Sequence, residues 1–282
     1  MLKNTFQHIK GIGPDTERKL WDKGILSWDC VLNDHEPMCS LQGTMRHRLM
    51  REVEISNEKL MSKNIHHFAD NLPVKSAWRL FPHFRDSVVY FDIETTGLSE
   101  SESYITTISL YDGEKIKYYV NGINLDDFPD DILKYDLLIT YNGKTFDVPW
   151  VENYFKIKLP HAQIDLRYVL SHLGLKGGLK KCEKLMGIDR GELDGIDGVF
   201  GIKLWFDYLE NKNEKALETL LAYNIEDVVN LELLMILAYN KSLCETPFVG
   251  ANKIPIKAKP EIPFKPDMET VQQLLMSGGT WY

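Results

Sequence analysis

The sequence VVYFDIETTG, residues 88–97, decides the fold of this chain. Its first four residues are an unbroken apolar run, which is typical of a strand buried in the middle of a sheet. Asp92 and Glu94 follow two residues apart, and because side chains alternate across a strand, both carboxylates are expected on one side. A charge at the end of a buried strand is costly unless it is paired or bound to a metal. This pair therefore predicts a functional site.

Four further strands and several helices are predicted around this stretch. Asp112-Gly113 lies between two runs of strand-forming residues and indicates a hairpin, so residues 104–110 and 115–120 form a meander with the first strand. Residues 137–141 and 163–165 are also expected to be strands. Because the later strands alternate with helical patterns, the sequence predicts an α/β fold with a mixed five-stranded sheet flanked by helices. The expected helices cover residues 147–156, 166–173, 178–186, 199–210 and 214–240.

Two more motifs contribute acidic residues. Asp147 ends the sequence YNGKTFD, where the fourth strand gives way to a helix, so it is either a site residue or simply a helix N-cap. Tyr223 and Asp227 lie four residues apart on the last long helix and therefore share one face of it. Taken alone, Tyr223 fits a half-buried core tyrosine and Asp227 a solvated helix face. The order of all three motifs is what points to a function.

In this order the motifs resemble those of the DEDD superfamily of 3′→5′ exonucleases, which have an RNase H-like fold. The resemblance covers residues 86–240 and is strongest at DIETTG, residues 92–97. Tyr223 resembles the tyrosine (DEDDy) branch, because the histidine branch has histidine five residues before the last aspartate, where this chain has Ala222. The sequences YNG, GLK and YN that begin at residues 141, 178 and 223 look most like those of the predicted RNase H-like exonucleases of prokaryotes.

The resemblance implies a metal-dependent enzyme that hydrolyses phosphodiester bonds at the 3′ end of single-stranded DNA or RNA. Two divalent cations, Mg²⁺ or Mn²⁺, are expected, since such a pair stabilises the attacking and leaving oxygens and both ions prefer oxygen ligands. The family pattern assigns Asp92, Glu94 and Asp227 to the first ion, and Asp92 with Asp147 to the second. Tyr223 is expected to orient the attacking water, because a tyrosine pKa of about 10 makes it a weak base at neutral pH.

Other residues near these acids are expected to contact the nucleic acid. They are Thr95, Thr96, Asn142 and Lys180. Lys180 is included because it belongs to the GLK sequence that resembles the family, and the alternative is a lysine that only faces water. Asp165, at the end of the fifth strand, is interpreted as a structural carboxylate.

The N-terminal sequence IKGIGPDTERKL, residues 9–20, resembles a helix-hairpin-helix motif. In that motif the turn offers backbone N–H groups to a DNA phosphate at a helix N-terminus, so Gly11 and Gly13, with Lys10 beside them, are expected to bind one. The alternative is a hairpin used only for packing or protein contacts. Two short helices are predicted here, and Ser27 is expected to cap the second.

Composition excludes several classes of protein. The 282 residues are 44% hydrophobic and 26% charged, which is ordinary for a globular protein. Four widely spaced cysteines without a C-x-x-C pair argue against a zinc knuckle or a disulfide framework and favour the reducing cytoplasm. No apolar run is long enough to span a bilayer, so no membrane partner is expected. The net charge of −8 is concentrated in residues 88–240, so nucleic acid needs local basic residues or bound cations there.

These observations divide the chain into three parts and leave three functions open. The parts are a small helical module (residues 1–85), the RNase H-like exonuclease domain (residues 86–240) and a proline-rich C-terminal extension (residues 241–282) that is expected to run extended over the surface. The favoured function is the 3′→5′ exonuclease. The alternatives are an RNase H-like structure-specific endonuclease that uses the same ions, and a non-catalytic nucleic-acid-binding protein on the same fold.

Overall fold

The computed structural model describes residues 1–99, 101–193, 198–250 and 252–276. The strands of these segments are β1 (Val88–Thr95), β2 (Ile105–Tyr111), β3 (Ile116–Val120), β4 (Leu137–Thr140) and β5 (Ala162–Asp165). They form one mixed sheet in the order β3-β2-β1-β4-β5. β1 pairs antiparallel with β2 and parallel with β4. The predicted hairpin, the central position of β1 and the α/β fold are therefore confirmed.

Helices cover both faces of the sheet. In the described segments they are α1 (Pro14–Asp22), α2 (Trp28–Leu32), α3 (Gly43–Met61), α4 (His66–Ala69), α5 (Phe81–Phe84), α6 (Phe128–Ile132), α7 (Asp147–Phe155), α8 (Leu166–His172), α9 (Leu179–Leu185), α10 (Gly198–Asn211), α11 (Glu214–Leu243) and α12 (Met268–Met276). The five helices predicted after residue 140 correspond to α7–α11. Across the described part of the chain, none of the helices has both the length and the apolar character needed to cross a membrane.

The alternation of side chains along β1 sends its residues into two different hydrophobic clusters. Val89 and Phe91 belong to the cluster that includes residues of α6 and α7. Val88 and Tyr90 belong to the cluster that includes most of α11. Asp92 and Glu94 continue the second series, because the period of a strand is two residues. The strand therefore directs both carboxylates toward α11, which packs against β1 and β2.

The N-terminal helices share the second of these clusters, which contains residues from α1 and α2 as well as from β1 and α11. Ser27 caps α2 by accepting a hydrogen bond from the backbone N–H of Cys30 at 3.3 Å, as predicted. A buried ion pair lies inside this region: Arg79 Nη1 is 2.8 Å from Glu17 Oε1. The division of the chain at residues 85 and 86 stays a proposal.

The C-terminal extension runs along α11 in the opposite direction. Asn240, near the end of α11, exchanges two hydrogen bonds with the backbone of Ile254, at 2.8 and 2.9 Å. Near the start of the helix, Thr219 Oγ1 accepts a hydrogen bond from the backbone N–H of Asp267 at 2.9 Å. Residues 252–267 contain no helix or strand, which agrees with the predicted extended tail. The sequence analysis missed α12, and residues 277–282 lie outside the described part of the chain.

Candidate functional site

Three predicted acids meet where the carboxyl end of β1 faces the middle of α11. Asp92, Glu94 and Asp227 each offer one carboxylate oxygen, and these three oxygens lie within 4.8 Å of one another. β1 supplies Asp92 and Glu94, which lie on the same side of the strand, and α11 supplies Asp227. Asp227 is buried, so the interpretation of this residue as part of a solvated helix face is wrong. All three donors are hard oxygens, which is the ligand set that suits Mg²⁺ or Mn²⁺.

Asp147 lies beside these three acids at the start of α7. Its Oδ1 accepts a hydrogen bond from the backbone N–H of Ile93 at 3.1 Å, so it contacts β1 between Asp92 and Glu94. Phe146, and not Asp147, occupies the N-cap position of α7. The helix-capping alternative for Asp147 is therefore wrong, and its buried carboxylate belongs to the surroundings of the other acids.

Burial and mutual repulsion change the ionisation of this group. Burial is the main cause that raises the pKa of Asp92 and of Glu94 well above the ordinary values, and neighbouring carboxylates raise both further. Burial also raises the pKa of Asp147 to about 7, although hydrogen bonds from backbone N–H groups oppose the shift. The carboxylates therefore repel one another, and bound cations would relieve that repulsion.

We expect the Asp147→Asn variant to gain stability over the wild type as pH rises from 5 to 8 without metal. The pKa of Asp147 is higher in the folded protein than in the unfolded chain, so its contribution falls as pH rises through this range. For one group the slope is at most about 1.4 kcal/mol per pH unit. Urea denaturation of both proteins in EDTA measures the difference, and subtraction cancels the opposite effect of buried His8, whose pKa is lowered to about 3. A difference that does not change with pH would contradict the prediction.

Asn224 makes polar contacts at the site, and the sequence analysis did not assign a role to this residue. Its side-chain amide donates to Asp92 Oδ2 at 2.8 Å, and its Oδ1 accepts a hydrogen bond from Ser109 Oγ at 2.7 Å. Asn224 is fully buried and so connects β2 to the first carboxylate. The signal was present, since Asn224 follows Tyr223 within the motif, but its partners lie more than 100 residues away in sequence.

Tyr223 and Lys180 form a second contact at the site. Lys180 Nζ donates to the Tyr223 hydroxyl oxygen at 2.7 Å and lies 4.3 Å from the centre of the tyrosine ring. Tyr223 is buried, and burial together with the neighbouring carboxylates raises its pKa above the ordinary value. Lys180 therefore does not only face water, because it contacts the tyrosine of the predicted site.

Arg190 and Glu183 were missed entirely by the sequence analysis. Arg190 lies in the loop after α9, where its guanidinium is buried between Glu183 and Asp227 and hydrogen-bonds to both. Burial raises the pKa of Asp227, and the charge of Arg190 opposes this shift. Arginine and glutamate are mostly found at protein surfaces, so nothing in the sequence separates these two from solvated residues.

The remaining predicted contacts near the acids fall into two groups. Thr95 and Lys180 line the cavity described below, together with Asp92, Glu94 and Asp227, whereas Asp147 is not among its lining residues. Thr96 and Asn142 are not among the residues that line it. Thr96 Oγ1 accepts from the backbone N–H of Tyr104 at 3.1 Å, and Asp165 Oδ1 accepts from the backbone N–H of Asn142 at 2.8 Å.

Asp165 also accepts hydrogen bonds from the backbone N–H groups of Lys144 at 3.3 Å and Arg167 at 3.0 Å. This one carboxylate therefore shapes the loop before α7 and caps α8. Its contacts agree with the structural role expected for Asp165.

The N-terminal turn lies outside this cavity lining. Gly11 has a φ of +84°, a conformation that favours glycine, and Gly13 occupies the N-cap position of α1. Lys10, Gly11 and Gly13 are exposed. Arg48 of α3 reaches this turn, since a Cβ added at Gly11 would lie 3.3 Å from its Nη2. The structure thus adds a cation that the motif did not predict.

A cavity of about 500 Å³ opens above the acids. Asp92, Glu94, Asp227, Tyr223 and Lys180 form its polar side. Its apolar side includes the strongly exposed Leu98 and Val199, whose exposed fractions are 86% and 66%. The acidic cluster and an apolar surface therefore share one opening.

The profile of the RNase H superfamily matches residues 89–239, which is more than half of the chain and contains the four acids and Tyr223. This chain belongs to the RNase H superfamily. Its five-stranded mixed sheet with flanking helices is consistent with the RNase H-like fold. None of the curated proteins matches the chain.

Two solved structures have a limited similarity to this chain. A family B DNA polymerase from Pyrobaculum calidifontis is 17% identical, with a TM-score of 0.42, over 57% of this chain. The chain covers only 26% of that polymerase. NrnC of Brucella melitensis is 13% identical, with a TM-score of 0.30, over 63% of this chain and 94% of its own.

Proposed function

We propose that this member of the RNase H superfamily is a metal-dependent 3′→5′ exonuclease that acts on single-stranded DNA or RNA. The observation that carries the proposal is the convergence of the carboxylates of Asp92, Glu94 and Asp227 at one end of a cavity. Superfamily members are generally nucleases that act on phosphodiester bonds. Within that class, the proposal specifies degradation from the 3′ end and a single-stranded substrate.

The three clustered carboxylates of Asp92, Glu94 and Asp227 suit a divalent cation, and the site is proposed to hold two such cations, Mg²⁺ or Mn²⁺. Asp92, Glu94 and Asp227 would hold the first ion, and Asp92 with Asp147 would hold the second. When bound, the cations would supply positive charge to a phosphodiester and lower the pKa of a water molecule. The repulsion among these buried carboxylates supports this assignment, because an acidic site must carry cations before it can accept a phosphate.

Tyr223 is proposed to orient the water that attacks the phosphate. Lys180 donates a hydrogen bond to the phenolic oxygen, which leaves the phenolic O–H to donate a hydrogen bond to a water molecule or a phosphate oxygen. The raised pKa keeps Tyr223 protonated at neutral pH, so the residue positions and does not abstract a proton. Lys180 in this arrangement holds Tyr223 and brings a positive charge to the rim that a phosphate would contact.

The apolar side of the cavity supports a single-stranded end as the substrate. Leu98 and Val199 are exposed beside the acids, and an unpaired base is the part of a nucleic acid that covers such a surface. Thr95, Thr96 and Asn142 are proposed to contact the same end. At the N-terminal module, the backbone of Gly11 and Gly13, with Lys10, is proposed to bind a phosphate farther along the strand.

The Tyr223→Phe variant is expected to lose about 10- to 100-fold in rate, which is less than an acid variant loses. The hydroxyl orients water, whereas the residues proposed to hold the cations remain in place. Single-turnover digestion with saturating enzyme measures the effect. Tyr118→Phe is the control, because Tyr118 occupies an exposed position of β3. A loss as complete as that of Asp92→Asn would show that Tyr223 does more than position water.

The proposal is tested by digestion of 5′-labelled oligonucleotides, single- and double-stranded, DNA and RNA, with Mg²⁺ or Mn²⁺. A metal-dependent ladder that shortens from the 3′ end supports the exonuclease and identifies its substrate. Cleavage of a circular substrate would favour the structure-specific endonuclease, because a circle has no end. Binding without any cleavage would favour the non-catalytic nucleic-acid-binding protein.

A cytoplasmic location stays a prediction that rests on the cysteines, all four of which are free thiols.

A further inference from the structure

A chain of three charged side chains leads away from the candidate site. Glu183 of α9 receives two hydrogen bonds from Arg190, from Nε at 2.6 Å and from Nη2 at 2.8 Å. The same Nη2 also donates to Oδ1 of Asp227. The exposed fractions of the side chains of Glu183, Arg190 and Asp227 are 1%, 3% and 7%. Water therefore does not compete for these contacts.

The arrangement fixes Arg190 more firmly than an ordinary ion pair would. A guanidinium that bonds to one carboxylate through two nitrogens has a defined plane and direction. Glu183 supplies that anchor from a helix, so the nitrogen aimed at Asp227 has a fixed position. Arg190 thus holds one oxygen of Asp227 and leaves the second oxygen available to a cation.

We propose that Glu183 and Arg190 are positioning residues that orient Asp227 for the divalent cation. The inference rests on the proposed function, because it assigns a supporting structure to the same metal site. Carboxylates that bind metals are commonly held by hydrogen bonds from a surrounding shell of residues, and loss of such a partner lowers metal affinity about 10- to 100-fold. Here that partner is Arg190, and Glu183 determines where Arg190 lies.

A second role for Arg190, as a cation close to a metal ligand, predicts the opposite change in metal affinity. If Arg190 acted as a resident competitor of the metal, its removal would strengthen metal binding, because like charges repel. The buried two-point anchor on Glu183 argues for the positioning role, since it holds Arg190 at Asp227 and so favours a permanent contact. The two roles predict changes of opposite sign in one measurement.

The test is the affinity of the purified full chain for Mn²⁺, measured by calorimetry and by the electron paramagnetic resonance of the free ion. Glu183→Gln and Arg190→Lys are expected to bind Mn²⁺ at least about 10-fold more weakly than the wild type. Arg190→Lys keeps the positive charge and loses the two-point hydrogen bonding to Glu183. A weaker Mn²⁺ affinity in this variant would therefore result from lost orientation and not from lost charge.

Glu17→Gln is the matched control, because Glu17 and Arg79 form an equally buried pair whose side chains are 1% and 6% exposed. Among the described residues, Glu17 and Arg79 make no hydrogen bond or ion pair with the acids of the site, so the Mn²⁺ affinity of this variant is expected to stay unchanged. Circular dichroism at the temperature of the titration checks that each variant is folded. If either Glu183→Gln or Arg190→Lys fails to fold, the Mn²⁺ affinity of the other variant decides the test.

The outcomes separate this inference from the proposed function. A wild type that binds no Mn²⁺ would refute the metal site, and with it the inference. A wild type that binds Mn²⁺, together with variants that bind equally well, would overturn only the positioning role. Variants that bind more tightly would show that Arg190 is a competing cation, which also overturns it.

Discussion

Replacement of Asp92 by asparagine is expected to slow phosphodiester hydrolysis by at least about 1,000-fold and to leave the fold intact. Asp92 is the one acid proposed to contact both cations, so its loss affects the whole arrangement. The fold is expected to survive because the change removes a half-buried carboxylate whose charge is repelled by its neighbours. Asparagine also keeps an oxygen that can accept the hydrogen bond from Asn224.

Digestion of a 5′-labelled oligonucleotide measures the rate, and a thermal melt with and without Mn²⁺ measures binding. At 100 times its dissociation constant a ligand adds about 2.7 kcal/mol to the stability of a folded protein, so the wild type should melt several degrees higher with Mn²⁺. Asp92→Asn should lose most of that increase. Glu210→Gln, on an exposed position of α10, is the control. Normal hydrolysis by Asp92→Asn would end the assignment of the site.

The Glu17→Ala variant is expected to lower the free energy of unfolding by about 3–5 kcal/mol, the usual cost of leaving a buried charge without its partner. Glu17 also accepts hydrogen bonds from the backbone N–H of Phe6 at 2.7 Å and from the side-chain amide of Gln7 at 2.5 Å, so alanine removes the carboxylate partner of three buried donors. Arg79 keeps its contact with Thr5, which does not replace a carboxylate. Urea denaturation measures the loss.

Lys158→Gln is the control for this prediction, because its ion pair with Glu152 involves a lysine side chain that is 86% exposed and contributes little. The same experiment bears on the proposed division of the chain. If residues 1–85 unfold in a separate, earlier transition in Glu17→Ala, the division is supported. A loss below about 1 kcal/mol would contradict the assignment of Arg79 and Glu17 as a buried pair that stabilises the fold.

The local patterns of the sequence predicted the framework of this protein. The apolar run of β1 identified the central strand, because burial on both faces requires apolar residues at successive positions. Asp112-Gly113 predicted the hairpin, and Gly113 has the expected positive φ of 93°. The same rules placed Asp92 and Glu94 on one side of β1, and Tyr223 and Asp227 on one face of α11. These properties depend on a few neighbouring residues, which the sequence displays directly.

The tertiary structure alone decided which polar and charged side chains pair with one another in the interior. Arg190 meets Asp227 across 37 residues, Asn224 meets Asp92 across 132, and Arg79 meets Glu17 across 62. No periodicity connects such positions, and arginine, asparagine and glutamate look alike in a sequence whether they face water or lie buried. Their partners are fixed by the crossing of α11 over β1 and by the packing of the N-terminal helices on the shared core. The sequence by itself therefore determined the strands, the helices α7–α11 and the acids, and only the packing of distant segments determined the contacts that hold those acids in place.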